Sequence, residues 1–364
     1  MSVSIVTYNV LNPKLCTAEW FPECHPQALL ESHRWTLVSQ KITEWMSHKC
    51  IICLQEVSRE WSDRLMKLFD PSYGCIVADY GTPRQDYMGI LVAWPHDLYL
   101  VLDCNTSRLV ELPSSRKLLS DLCMTKMALT TPLSSDTMFG RWYNILCYYF
   151  RRCILNRWTK SVTTQGKTKT WFASPFSPSQ PSSQDMAFSS FHRLIWIKFC
   201  RRSENGEIGR SLCEQERLAS PIEGQTIHCS TQFCVTNYHM PCRYKDDEFM
   251  NLHTRMLVDA TKWLSASSPF LMVGDFNAHP KTVAFQTMSN LLPQFLCSAR
   301  DFTCWTSTPA NGPFKEQLDY IWYSPGQWLL VRSHTPSCDI VGPLPTLSEP
   351  SDHLPVYNTF WCMK

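Results

Sequence analysis

The chain has 364 residues, 44% of them hydrophobic and 18% charged, with a formal net charge of +2. That balance supplies a buried core and excludes an intrinsically disordered polymer, while a charge so near neutral neither requires nor excludes a nucleic-acid partner. The 18 cysteines occur in a chain too long for a small disulfide scaffold, and no apolar stretch reaches the length of a bilayer span.

The opening residues MSVSIVTYNV alternate as a strand does and lack the charged and long apolar regions of a signal peptide. Most cysteines are therefore expected to be buried, reduced thiols in a cytosol-like compartment, cytoplasmic with the nucleus as the alternative. Residues 3–10 read as a strand that closes on Asn9. Residues 32–47 place Trp35, Val38, Ile42, Trp45 and Met46 at helical spacing. The apolar run 50–54 reads as a buried strand ended by Gln55 and Glu56, and 58–69 as a second helix. Cys50 and Cys53 form a CxxC in that run, but no second CxxC or nearby histidine pair completes a metal site. Residues 88–94 and 99–102 read as two strands around a proline-containing turn.

From about 107 to 223 the periodicity fades. The stretch mixes aromatics with Arg and Lys between Arg141 and Lys169, then turns Ser/Pro-rich. A span of this length without clear elements is expected to be an insertion, partly disordered, within one domain whose core is 1–105 and 225–364. Its basic-aromatic part is either a nucleic-acid-binding segment, using stacking and phosphate contacts, or a poorly ordered insert without that role.

Order returns at Thr226, with two strand-like runs ending at His239. Residues 249–264 carry Phe249, Leu252, Met256, Leu257 and Trp263 near one helical face. Residues 270–273 read as a strand, 284–292 as a helix, 318–323 as a strand carrying Asp319, and 356–360 as a last strand just after Ser351-Asp352-His353. Strands and helices interleave at both ends of the chain, with no fixed-period repeat, so a layered α/β or α+β fold around one core is expected.

The polar residues that close these strands are Asn9, Glu56, His239, Asp275, Asn277, Asp319, Asp352 and His353. In LMVGDFNAHP, Asp275 and Asn277 stand two apart, and in an extended segment they face one spot together. Singly, each residue has an ordinary structural reading as a turn, a cap or a solvated charge. Jointly, carboxylates and amides without paired thiolates favour a hard ion, Mg²⁺ or Mn²⁺, over zinc. The remaining acids and imidazoles are then free for proton transfer and charge stabilisation, an inventory suited to hydrolysis at phosphorus.

In their order along the chain, TYNVL, LQEV, TNYHM, GDFNAHP, LDYIWYS and SDHLPV resemble the six signature blocks of the endonuclease/exonuclease/phosphatase superfamily, the deoxyribonuclease I-like fold. YNVLNPKLC, HRW and IICLQEV look most like its carbon-catabolite-repressor deadenylase and nocturnin branch. The resemblance implies a four-layer α/β/β/α sandwich of two packed mixed sheets flanked by helices. It implies metal ligation by Glu56, with Asn9 and Asp352 near the metal, and Asp275 acting on the attacking water. Asn277 and His239 would contact the phosphate, and His353, with Asp319 as its partner, would stand beside the scissile bond. The activity implied is metal-dependent phosphodiester hydrolysis, most naturally of RNA by a deadenylase-like 3′ exonuclease. A small phosphoester or 2′,5′-linked oligonucleotide, and a catalytically silent RNA-binding module, stand as alternatives.

Overall fold

The computed structural model describes residues 1–80, 88–115, 117–118, 192–202, 232–293, 295–296, 301–308, 312–334 and 340–363. The chain divides into two compact units, residues 1–116 with 182–364, and residues 117–181. The fold and the site both lie in the first.

Strands β1 (Ser2–Asn9), β2 (Ile51–Val57), β3 (Tyr73–Tyr80) and β4 (Met88–Pro95) belong to one sheet, with helices α1 (Glu31–Ser47) and α2 (Arg59–Phe69) between them in sequence. Strands β5 (Tyr99–Asn105), β6 (Leu194–Arg201), β7 (Gln232–His239) and β8 (Phe270–Asp275) begin a second sheet, with helices α3 (Asp247–Ser265) and α4 (Val283–Leu291) before and after β8. The short β9 (Phe295–Leu296), a hairpin of β10 (Cys304–Thr308) and β11 (Gly312–Glu316), and β12 (Asp319–Tyr323), β13 (Trp328–His334) and β14 (Val356–Cys362) complete the order. The sheets are six-stranded, β13-β14-β1-β2-β4-β3 and β5-β6-β7-β8-β12-β9. Among the described strands only β1 with β2 and β7 with β8 run parallel, and these are the pairs joined through a helix, as a parallel crossover requires.

Strand alternation builds the layers. In β1, Val3 and Ile5 enter the core between the sheets, while Val6 and Tyr8 pack against Val38, Ile42, Trp45, Trp61 and Leu65 of α1 and α2. In β7 and β8, Phe233, Val235, Leu271 and Val273 face the other sheet. Tyr238 instead turns outward to bond His253 of α3, at 3.2 Å from its hydroxyl to Nδ1. Phe285 of α4 packs on Tyr320 and Trp322 of β12. The result is the expected α/β/β/α sandwich of two mixed sheets. Ser58 caps α2 by accepting from Trp61 N at 3.1 Å, which fixes where the chain leaves β2.

The sequence reading needs correction at several places. The segment read as an insertion contains β6, which lies between β5 and β7 in the second sheet. LIWIKFCR is buried along most of its length, so it has no period-two pattern to announce a strand. Residues 119–191, which include the basic-aromatic part, and 203–223 lie outside the described residues. Of the two runs read before His239, the second is β7, and the first, at residues 226–231, lies outside the described residues. Strands β3, β10, β11 and β13 escaped the reading because they are partly exposed and pair at or near sheet edges, where burial imposes little pattern. Ten cysteines are free among the described residues, and Cys200 is disulfide-bonded. No helix among the described residues is long and apolar enough to cross a membrane.

Candidate active site

The inter-sheet face changes from apolar to polar at one end. In β1 the inward series Val3, Ile5, Thr7 ends in Asn9, and in β7 the series Phe233, Val235 ends in Asn237 and His239. Registry then lines up three groups across the second sheet: His239 pairs with Asp275 in the β7–β8 ladder, and Asp275 with Asp319 in the β8–β12 ladder. Residues opposite each other on one face have neighbouring side chains, so a histidine and two carboxylates stand in a row.

Glu56 reaches the same place against the simple alternation. Gln55 and Cys53 face the other sheet, so a regular strand would send Glu56 to the helices. Instead Glu56 has φ 58°, and the β2–β4 ladder is irregular between Leu54 and Val57. This bulge turns two successive side chains toward the site. Glu56 Oε1 accepts from Asn9 Nδ2 at 3.0 Å and its Oε2 from Asn12 N at 3.1 Å. The same Asn9 amide donates to Asp275 Oδ2 at 3.0 Å, so one amide bridges an acid from each sheet.

Gly274 makes the end of β8 possible. Its φ is 148°, and a Cβ there would lie 1.8 Å from Tyr238 O. Asp275 is buried and accepts from Asn277 N on Oδ1 at 2.9 Å. The expectation that Asp275 and Asn277 converge through extended geometry is corrected here: Asn277 has φ 46°, and a turn held by the Asp275 side chain brings the two together. Asn277 Nδ2 donates to Met240 O at 2.8 Å and lies 3.4 Å from His239 Nε2.

Two histidines flank Asp275 Oδ2, with His239 Nε2 at 3.6 Å and His353 Nε2 at 3.7 Å. His353 Nδ1 lies 2.8 Å from Asp319 Oδ2. Asp319 is fully buried, its backbone N bonds Thr303 Oγ1 at 3.0 Å, and its Oδ1 has no hydrogen-bond partner among the described residues. Burial pushes the Asp319 carboxyl up, and His353 opposes that shift. For His353, burial favours the neutral ring, but Asp319, Cys304, Asp275 and Asp352 together outweigh it and raise the imidazole well above its usual value. The pair is therefore an imidazolium on a carboxylate. Asp352 is raised by burial first, with Glu56 and Asp275 adding to the shift.

Several contributors went unread in the sequence. Arg34 is fully buried and donates from Nε to Pro350 O at 2.6 Å and from Nη2 to Val10 O at 2.7 Å. It thereby ties the loop after β1 to the loop that carries Asp352 and His353. The Tyr80 hydroxyl lies 2.5 Å from His239 Nδ1. Burial, then Glu56 and Asp275, raise that phenol well above its usual value, so it stays protonated. Gln55 and Asn237 link the sheets just beneath. A buried polar or cationic residue beside a signature block was the signal available for each.

The carboxylates fit a hard divalent cation. Among the described residues, the ion-pair partners of Glu56, Asp275 and Asp319 are histidines, with no lysine or arginine. Ligand-capable atoms lie within 4.8 Å of one another in three groups: Glu56, His239 and Asp275; Asp275, Asp319 and His353; and Cys304, Asp352 and His353. Glu56 thus groups with Asp275 and His239, and Asp352 falls with Cys304.

The model of the Endonuclease/Exonuclease/phosphatase family matches residues 6–353. Among curated proteins no sequence matches the chain. Among solved structures, the human Nocturnin catalytic domain with bound sulfate is similar at 15% identity and a TM-score of 0.55, over 100% of this chain and 95% of that one. ANGEL2, a 2′,3′-cyclic phosphatase, in complex with adenosine-2′,3′-vanadate, is similar at 13% identity and a TM-score of 0.59, over 99% and 95%. These likenesses are of fold. Taken with the family match over nearly the whole chain, they identify it: the chain belongs to the endonuclease/exonuclease/phosphatase family.

Proposed function

We propose that the chain is a metal-dependent phosphodiesterase acting on RNA, in the manner of a deadenylase-like 3′ exonuclease. The observation that carries the hydrolytic part is the row His239–Asp275–Asp319 with His353 on Asp319 and Asn9 bridging Glu56 and Asp275. It puts acid, amide and imidazolium groups around one point at the end of the inter-sheet core. The preference for RNA draws on the resemblance of the N-terminal blocks to the deadenylase and nocturnin branch.

Glu56, with Asn9 and Asp352, would hold Mg²⁺ or Mn²⁺, which when bound lowers the pKa of a water and offsets phosphate charge. The protein groups divide the remaining work. Asp275, fixed by Asn9 and by Asn277 N, accepts the proton of the attacking water. His353, kept cationic by Asp319, stabilises charge on the phosphoryl oxygens and on the leaving oxygen. Asn277 Nδ2 donates to phosphate without adding negative charge. Tyr80, bonded to Nδ1 of His239, holds the ring with Nε2 toward Asp275 and Glu56.

The test is a 5′-labelled RNA ending in poly(A), incubated with Mg²⁺ beside the Glu56→Gln variant, 2′,5′-oligoadenylate and a dinucleotide 2′-phosphate. The expected result is a shortening ladder with the wild type alone, abolished by a chelator. Turnover of the dinucleotide phosphate in preference to RNA would move the substrate to small phosphoesters. Full activity in Glu56→Gln would sink the mechanism.

A further inference from the structure

Cys304 takes no part in that chemistry but sits directly against it. It begins β10, is 3% exposed and is a free thiol. Its backbone forms an antiparallel bridge with His353. Flanking bonds from Leu354 N to Thr303 O at 2.7 Å and from Trp305 N to Asp352 O at 3.1 Å hold the two segments in register. The Cys304 thiol lies beside the His353 ring, their ligand-capable atoms within 4.8 Å of each other. Cys304, Asp352 and His353 each offer a ligand atom within 4.8 Å of the others.

One thiolate, one imidazole and one carboxylate make a mixed sulfur, nitrogen and oxygen donor set. Mg²⁺ and Mn²⁺ have little use for sulfur, whereas Zn²⁺ binds such a set tetrahedrally and leaves its fourth position open. Zinc bonds of about 2.0–2.3 Å at tetrahedral angles separate ligand atoms by roughly 3.3–3.6 Å. Side-chain rotations of about one ångström would therefore close these three residues on an ion.

We infer that Cys304, Asp352 and His353 form a second metal site, for Zn²⁺ or another thiophilic divalent ion, and that filling it stops catalysis. On binding, an S–Zn bond replaces the S–H bond of Cys304, an N–Zn bond replaces one N–H bond of the His353 imidazolium, and both protons go to solvent; nothing is oxidised or reduced. The ion takes a ring nitrogen of His353 as a ligand, which removes that imidazole from the phosphate. It also claims Asp352, drawing a carboxylate away from the catalytic ion. The inhibition rests on the phosphoesterase reading; the binding site does not.

Two measurements on the full chain separate these claims. Titration with Co²⁺ as a spectroscopic stand-in for Zn²⁺ should give a thiolate-to-cobalt charge-transfer band and tetrahedral d–d bands. Cys304→Ser and Cys304→Ala should lose the charge-transfer band, Cys242→Ser should keep it, and Asp352→Asn should weaken cobalt affinity. In turnover assays at saturating Mg²⁺, each protein normalised to its own zinc-free rate, the half-inhibitory Zn²⁺ concentration should rise at least about tenfold in Cys304→Ser. Absence of the band in the wild type overturns the site without recourse to any variant. So does a band that follows Cys242, whereas equal zinc sensitivity of wild type and Cys304→Ser overturns the inhibition and puts the inhibiting ion at Glu56. A band lost in Cys304→Ser from a protein that hydrolyses no phosphoester would uphold the site and refute the phosphoesterase reading instead.

Discussion

Asn237 is where the two sheets are joined by polar contacts just below the site, and its removal gives the sharpest test of how the site is held. It is fully buried in β7, two residues before His239. Its Nδ2 donates to Leu54 O and Leu91 O, both at 3.0 Å, and its Oδ1 accepts from Gln55 Nε2 at 2.8 Å. Gln55 in turn donates to Thr7 Oγ1 at 2.9 Å. One side chain therefore connects β7 to β2 and β4 of the other sheet. Asn237→Ala deletes three hydrogen bonds, each with a net value near 1 kcal/mol, so a loss of about 3 kcal/mol is expected. Asn237→Asp should cost more, because it aims a buried carboxylate at two carbonyl oxygens. Urea unfolding at pH 7.5 measures both, with an unchanged slope showing that only stability moved. Relaxation of the sheets should also separate Glu56 from His239, and a displacement near one ångström lowers turnover by roughly 10². An Asn237→Ala protein within about 0.5 kcal/mol of wild type, or an Asn237→Asp variant milder than the alanine, would refute the reasoning. The apolar inter-sheet core alone would then hold the sheets.

Other outcomes follow from the same geometry. Gly274→Ala should unfold the end of β8 or lose about 4 kcal/mol, since its Cβ would lie 1.8 Å from Tyr238 O; equilibrium unfolding checks it, and Gly89→Ala, where the nearest contact is 3.0 Å, should be milder. Tyr80→Phe should lower kcat about tenfold with little change in KM, the size of one lost hydrogen bond, and should shift the His239 tautomer seen by ¹⁵N NMR. His253 gives a pH dependence of stability. Burial first, then Arg243, lower its pKa to about 3 from 6.5, so the folded protein keeps it neutral. Its contribution is intact above about pH 6.5 and is lost as pH falls toward 3. Wild type should lose about 1.3 kcal/mol more than His253→Gln between pH 7.5 and 5.5, and parallel pH profiles would contradict this.

The strands that deliver the site were legible because they are apolar runs that stop at an acid, amide or histidine. Those of 3–10, 50–54 and 270–273 needed only local pattern, and the helices 32–47, 58–69 and 249–264 only their apolar spacing. The eight polar residues could be named from their places at strand ends, and the order of the six blocks pointed to the family. β6 could not be found this way, since burial on both faces erased its alternation.

What the sequence by itself determined was therefore the local element and the identity of the residue that ends it, because each depends on neighbours a few positions away. Only the tertiary structure decided how those ends meet. Registry between β7, β8 and β12 set His239, Asp275 and Asp319 in a row. A bulge turned Glu56 inward against its parity, and the Asp275 side chain folded Asn277 back. Arg34 and Asn237 joined segments far apart in the chain. The pairing of His353 with Asp319, and of Cys304 with His353, belongs to the same level. Hydrogen bonds and charge interactions act over a few ångströms of space, and only folding makes distant residues close.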